Sequence, residues 1–484
     1  MAAKELRANC MSVPEVKPPL LAESLPEGET VFPSPFTPFE RLKLIDDRPT
    51  YPMTILIRMM FLGELQEAAF RGAIADTMAN HPLLDARAEW RGNWPWWVAR
   101  SPEPVPIEWR ESVPPEAIER APQIDLLRGP GVRFLVHASP ERSSFVLQIH
   151  HSCSDGQGSR RFIYDFCSNY ERRVMGDASL RTAAKFDALL RERLTKRAEL
   201  NAPHGTSANE GDQGTTTWER LRNTVWFFTK RPTPLAAPQT TKASNPNANR
   251  AHEVLLETDE TSQLRQRALA ENATFNDVAM AILMRVVAQW NREHARSSER
   301  TRVRIIMPTD LRVKDDDRSP AANRMGYAFP TRSYGETGDW RQLLASIREE
   351  TEYIKNRRLG ADFLTNIALA QAVPGLLATY LNWTRCLATA TLTNLGDVTR
   401  RLRRHFPQSE TGLMLIGGLP LLSVAGIPPL RPGTRAGIGL CVCGGRLSVS
   451  LLTDPFYFSD SDTRDLLNRY VAAIRCWNRG EEMS

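Results

Sequence analysis

The sequence predicts a two-domain α/β protein, on three observations. Its 484 residues exceed the ~250–300 that one hydrophobic core usually serves. Runs with strand alternation and runs with helical spacing succeed one another along the chain, the pattern of an α/β architecture. Residues 201–250 shift to Asn, Gly, Thr, Pro and Ser, the composition of a linker. The expected units are an N-terminal arm over 1–30, a first domain over 31–200, the linker over 201–250 and a second domain over 251–484.

The arm is rich in proline and glutamate and has no sustained period, so it is expected to be loosely held. Structure is expected to begin near Phe36. Ile55 and Ile57 alternate as in a strand, and Phe70, Ile74 and Met78 mark a helix. That helix runs into His81-Pro82-Leu83-Leu84, where His81 reads as a helix-terminal residue. Val132–Ala138, the turn 139–142 and a strand ending at His151 make a hairpin. In its second strand Phe145, Leu147, Ile149 and His151 lie on one side, with Val146, Gln148 and His150 on the other. Gly156 and Gly158 break the pattern, and Phe162, Phe166 and Tyr170 then recur at helical spacing.

The stretch His150-His151-Ser152-Cys153-Ser154-Asp155-Gly156 thus joins a strand to a helix through a glycine loop. Such a loop can hold a polar side chain at a cavity edge, as a general base requires. His151 is the candidate base, and His150, on the opposite side, reads as structural. A zinc site is disfavoured, because adjacent strand residues face opposite ways and neither CxxC nor HExxH accompanies them. Ser152 and Cys153 lack a separate neighbouring base in the sequence and are discounted as nucleophiles. Gly156-x-Gly158 is too short for a dinucleotide or phosphate loop.

Inside the linker, Trp218, Leu221, Val225 and Phe228 share one helical face. Contact with a membrane or a carrier protein is open, but such a stripe more often packs on its own protein. The second domain opens with alternating Val254 and Leu256. Thr274 and Asp277 then read as an N-cap with an acid three residues on, ahead of the apolar face Val278, Ile282, Val286 and Trp290. Val303, Ile305 and Met307 form a strand that ends at Pro308-Thr309-Asp310-Leu311-Arg312. Trp340, Leu344, Ile347 and Ile354 mark another helix. Residues 438–442 and 447–451 flank Gly444-Gly445 as a two-residue hairpin, and a last helix runs through Leu466 and Tyr470 to Ile474.

The spacing HHxxxDG, followed by Thr274-x-Asn276-Asp277-Val278, Asn323-x-x-Gly326 and Thr393-Asn394-Leu395-Gly396, resembles the chloramphenicol acetyltransferase-like superfamily. That group includes condensation domains, polyketide-associated acyltransferases and wax ester synthases. The resemblance spans about residues 30–480. It implies two chloramphenicol acetyltransferase-like α/β sandwich domains in a pseudo-dimer, with the active site at their interface. It passes the role of general base to His151 and that of loop support, through a partner arginine, to Asp155. Arg312 is the expected partner and Arg324 the fallback. Gly156 stands where a side chain would crowd the reaction centre, and Asn394 lies in the expected lid loop. Arg400, Arg401, Arg403 and Arg404 follow that loop and are candidates for the phosphates of coenzyme A or phosphopantetheine.

Seven scattered cysteines suit reduced thiols and a cytoplasmic setting, and the opening residues show no apolar h-region of a signal peptide. The net charge of +6 is spread out, without a zinc-finger or RNA-binding signature, so no nucleic-acid partner is expected. Thr411–Leu430 carries no charge, but its prolines and Gly417-Gly418 argue for buried strands and turns over a membrane span. The expected protein is a monomeric acyltransferase without metal or resident cofactor and without a covalent acyl-enzyme. Its donor is an acyl-coenzyme A or carrier-protein thioester, and its acceptor a small alcohol or amine. A catalytically silent binding platform of the same fold is the alternative.

Overall fold

The computed structural model describes residues 31–176, 188–197, 217–238, 250–313, 316, 318–382 and 385–481. The expected arm and most of the expected linker lie outside them. Two mixed sheets face each other, each backed by helices. The first has the strand order Leu415–Ile416, Leu419–Ile427, Thr54–Leu62, Arg142–His150, Val132–Ala138, Ile107–Glu111. The second is built on Met325–Ala328, Arg302–Asp310, Ala390–Asp397, Ala436–Cys443, Arg446–Thr453 and His252–Leu256, with Thr331–Ser333 also paired to Arg302–Asp310. No single helix among the described residues is long and apolar enough to cross a membrane.

In the first lobe, helices Glu67–Met78 and Gly156–Met175 cover one face of the sheet. Phe70, Phe145 and Phe166 meet there with ring centroids 5.1–5.3 Å apart, edge to face as aromatic quadrupoles prefer. Because Phe145, Leu147 and Ile149 point into this core, Val146, Gln148 and His150 must point to the other face. That other face is buried too, since the second lobe lies against it. The strand is therefore covered on both sides, and its end is held between the lobes.

The second lobe follows its local signals. Thr274 and Asp277 close a capping box on helix Phe275–His294, and Val278, Ile282, Val286 and Trp290 are all buried. Gly444 and Gly445, at φ +57° and +87°, make the hairpin turn that needs two positive φ values. The strand Leu419–Ile427 does something that local pattern does not announce. It leaves its own half of the chain and pairs antiparallel with Thr54–Leu62, so the expected division near residue 250 does not divide the sheets.

Three further placements differ from the sequence reading. Gly156 and Gly158 are not in a loop but in the first turn of helix Gly156–Met175. Thr393–Asp397 is the end of strand Ala390–Asp397, with a register shift, and not a free lid loop. In helix Thr217–Thr229, Trp218 is 72% exposed and Val225 also faces outward. The helix is docked instead through Phe227, whose ring meets Phe329 at 5.0 Å and whose carbonyl accepts from Arg304.

Helices Leu359–Ala372 and Leu376–Asn382 roof the gap between the lobes. Gly326 allows the first of them to lie directly on strand Met325–Ala328, because a Cβ there would run into the Gly360 backbone. Gly326→Ala should therefore cost ~1–3 kcal/mol through overpacking. A lowered urea midpoint with an unchanged slope would register it.

Candidate active site

Asp155 ends the turn after strand Arg142–His150 and caps the helix that follows. Its Oδ1 accepts the Gly158 N–H at 2.8 Å, as a buried helix N-terminus requires. From the second lobe, Arg312 approaches as a fork, Nη1 to Oδ2 at 2.9 Å and Nη2 to Oδ1 at 3.0 Å. The Arg324 backbone N–H adds a further bond to Oδ2 at 2.8 Å. Its guanidinium turns away, to Asp316 and the Arg193 carbonyl. The expected partner and the fallback thus both reach Asp155, one by side chain and one by main chain. Burial alone would raise the Asp155 pKa, but the Arg312 charge and these donors outweigh it and hold the carboxyl below the usual range.

Glycine is needed where the lobes close on this turn. A Cβ on Gly158 would lie 2.9 Å from the Ala322 main chain, and one on Gly156 would lie 2.6 Å from Leu395 Cδ2. Asn323 clamps the motif from the other side, its Nδ2 donating to the His151 and Ser152 carbonyls at 2.8 and 2.7 Å. The sequence pattern singled out Asn323 without giving it this task.

The two histidines face opposite ways. His150 is fully buried and accepts from the Ser152 N–H at 3.1 Å, with Nε2 3.6 Å from Asp47. His151 lines a cavity of about 210 Å³ between the lobes. Its Nδ1 lies 3.0 Å from the Ser154 carbonyl. A carbonyl can only accept, so Nδ1 carries the proton and Nε2 holds the lone pair. Nε2 points at the Tyr327 hydroxyl, 3.3 Å away. Burial first, then the Lys43 charge, push the His151 pKa down to about 3, so the ring is neutral near pH 7. Tyr327 keeps its proton, because burial raises its pKa.

Tyr327 and Lys43 were invisible to sequence reasoning. Neither lies in the motif, and each reaches the site only because its element packs there. Lys43, on helix Pro38–Asp46, stands over the Tyr327 and Phe39 rings at 4.8 and 5.2 Å. Phe227, Phe329, Phe363 and Tyr380 make the rest of this wall aromatic. Asn394 lines the same cavity, with its Oδ1 turned to the Gly396 N–H at 2.8 Å.

A second cavity shares Gln157, Asp310 and Arg312 with the first and is lined by Arg160, Arg161 and Arg401. Of the four arginines after the Asn394 strand, only Arg401 lines it. Arg400, Arg403 and Arg404 are exposed, and Arg403 is paired with Asp397. Ser152 and Cys153 are buried. The Ser152 hydroxyl donates to the Glu40 carbonyl at 2.9 Å, and burial pushes the Cys153 thiol well up, so neither is poised for attack.

No protein-family model and no curated protein matches the chain. Solved structures do resemble it. The first condensation domain of the calcium-dependent antibiotic synthetase superposes with a TM-score of 0.63 at 16% identity, over 92% of this chain and 96% of that one. The TRI3 trichothecene 15-O-acetyltransferase from Fusarium sporotrichioides gives 0.65 at 10%, over 91% and 94%. Polyketide synthase associated protein 5 from Mycobacterium tuberculosis gives 0.56 at 14%, over 93% and 98%. The chain has the two-lobed chloramphenicol acetyltransferase-like fold of condensation domains and related acyltransferases.

Two predictions follow from this geometry. Arg312→Ala strands the buried Asp155 carboxylate and should cost ~3–5 kcal/mol; Asp155→Ala removes the helix cap but leaves Arg312 its Asp310 partner, and should cost less. The double variant should be less destabilised than the sum, with a coupling of ~0.5–3 kcal/mol in denaturant unfolding.

The second concerns pH. Unfolding returns His151 to an ordinary pKa near 6.5, so below that pH the unfolded chain binds a proton that the folded chain refuses. Its contribution to stability is whole above pH 6.5 and is lost as pH falls toward 3. Urea unfolding in pH steps should show that loss, and His151→Ala should show less of it.

Proposed function

We propose that the protein is a condensation-type acyltransferase, moving an acyl group from a thioester to an alcohol or amine with His151 as general base. The observation that carries the proposal is the lone pair of His151 Nε2, directed into a cavity between the two lobes. The acceptor hydroxyl would displace Tyr327 as the donor to Nε2. As Nε2 takes its proton, the acceptor oxygen attacks the thioester carbonyl and forms a tetrahedral intermediate. When the C–S bond breaks, the same proton passes to the departing sulfur, and no acyl-enzyme forms. The Ser154 carbonyl holds Nδ1–H throughout and fixes the ring, while Asp155 acts only through the turn it anchors.

The two cavities support a division of labour. Arg160, Arg161 and Arg401 suit the anionic arm of coenzyme A or of a carrier-bound phosphopantetheine, and the aromatic cavity suits the acceptor. The fold neighbours lend support as a class, since they include an acetyltransferase and a condensation domain. A catalytically silent platform of the same fold is the second reading, and the depressed basicity of His151 favours it. On the catalytic reading, binding of the acceptor supplies the missing basicity.

Release of free thiol from a panel of acyl thioesters, with and without candidate alcohols and amines, tests the assignment. His151→Ala should fold and lose ~10²–10⁴ of acceptor-dependent turnover. An unaffected variant would overturn the mechanism. A wild-type protein that binds thioesters but never turns them over would favour the platform.

A further inference from the structure

One end of the aromatic cavity is charged without being balanced. Lys43 is only 8% exposed and, among the described residues, makes no hydrogen bond or ion pair; its neighbours are the faces of Tyr327 and Phe39. An ammonium buried in this way is costly unless something of opposite charge joins it. Arg431 lines the same end. Its Nε is committed to Asp46 Oδ2 at 2.9 Å, while its buried Nη2 has no hydrogen-bond partner among the described residues. Asp46 is therefore one carboxylate facing two cations. Arg48 is a third cation on its margin, 3.7 Å from Asp46 Oδ1. Arg312, which lines the same cavity, is already matched by Asp155 and Asp310.

We propose that this end of the cavity binds a carboxylate carried by the acceptor, held by the Lys43 ammonium with the Arg431 guanidinium beside it. A carboxylate brings one negative charge, which cancels the excess of Lys43 and Arg431 over Asp46. The aromatic wall would take the body of the same molecule. Its hydroxyl or amine would then face His151 Nε2.

This binding would also bear on the base. After burial, the Lys43 charge is the next cause of the low basicity of His151. A carboxylate beside Lys43 offsets that charge. An acceptor with the carboxylate would therefore meet a stronger base than one without it, which turns recognition into selectivity at the chemical step.

The inference rests on the acyltransferase reading for the word acceptor, but the binding itself can be tested without turnover. Calorimetric titration of the full chain with octanoate and with octanamide compares two ligands of similar shape that differ in charge. Octanoate should bind about tenfold tighter or more, the usual worth of charge-assisted bonds. Lys43→Met should abolish the preference and Lys43→Arg should retain part of it. His151→Ala should keep it, so failure of the catalytic reading leaves this result standing.

In the thioester assay, octanoate should compete with the acceptor and not with the donor. Equal binding of octanoate and octanamide by the wild type would overturn the proposal, and so would a preference that survives Lys43→Met. Competition with the thioester alone would move the carboxylate to the acyl chain and overturn its assignment to the acceptor.

Discussion

A single carboxylate holds this molecule in its working arrangement. Asp155 is 1% exposed, and a charge so placed is tolerable only if every oxygen is answered. The four bonds that answer it come from both lobes: two from Arg312, one from the Arg324 main chain and one from the Gly158 N–H at the start of the helix that Asp155 caps. The lobes cannot part without taking three of the four bonds from a buried charge. His151 lies four residues earlier on the same turn, so the constraint that closes the interface also sets the position of the ring.

Closing the interface has a chemical consequence. Burial strengthens the directed interactions around the ring, but it also disfavours the imidazolium. His151 accordingly sits far below its ordinary pKa. The compensation available within the chain is modest: the Ser154 carbonyl on Nδ1 and the nearby Asp155 charge, both of which favour the protonated ring. The remainder has to come from what occupies the cavity. The proposed carboxylate site beside Lys43 would therefore bear on reactivity as well as on recognition.

Close approach of the lobes depends on small residues at their seam. Leu395, from the second sheet, lies where Cβ atoms on Gly156 and Gly426 would be, and the Ala322 main chain lies against Gly158. Strand Leu419–Ile427 crosses into the first sheet and carries Gly426. A Cβ on Gly439 of the facing strand Ala436–Cys443 would run into the Gly426 carbonyl. The crossing strand ties the halves covalently, and the glycines let them touch.

Much of this was legible in the sequence wherever the responsible forces act over a few residues. Alternation along Phe145–Ile149 separated core from interface, Thr274 and Asp277 announced a capped helix, and Gly444-Gly445 announced a tight hairpin. The motif resemblance pointed to His151, Asp155 and Arg312, though the last two stand 157 positions apart and no spacing rule joins them. What local pattern could not carry was decided by packing over long separations. It could not show that residues 419–427 complete the first sheet, or that Gly156 begins a helix when it looks like a loop residue. Nor could it show that only Arg401 of four arginines lines a cavity. Tyr327 and Lys43 are the clearest cases: a tyrosine on a strand and a lysine on a helix have no local mark of function. They become site residues only when two lobes close and leave the hydroxyl facing Nε2 and the ammonium in a cavity without a counter-charge of its own.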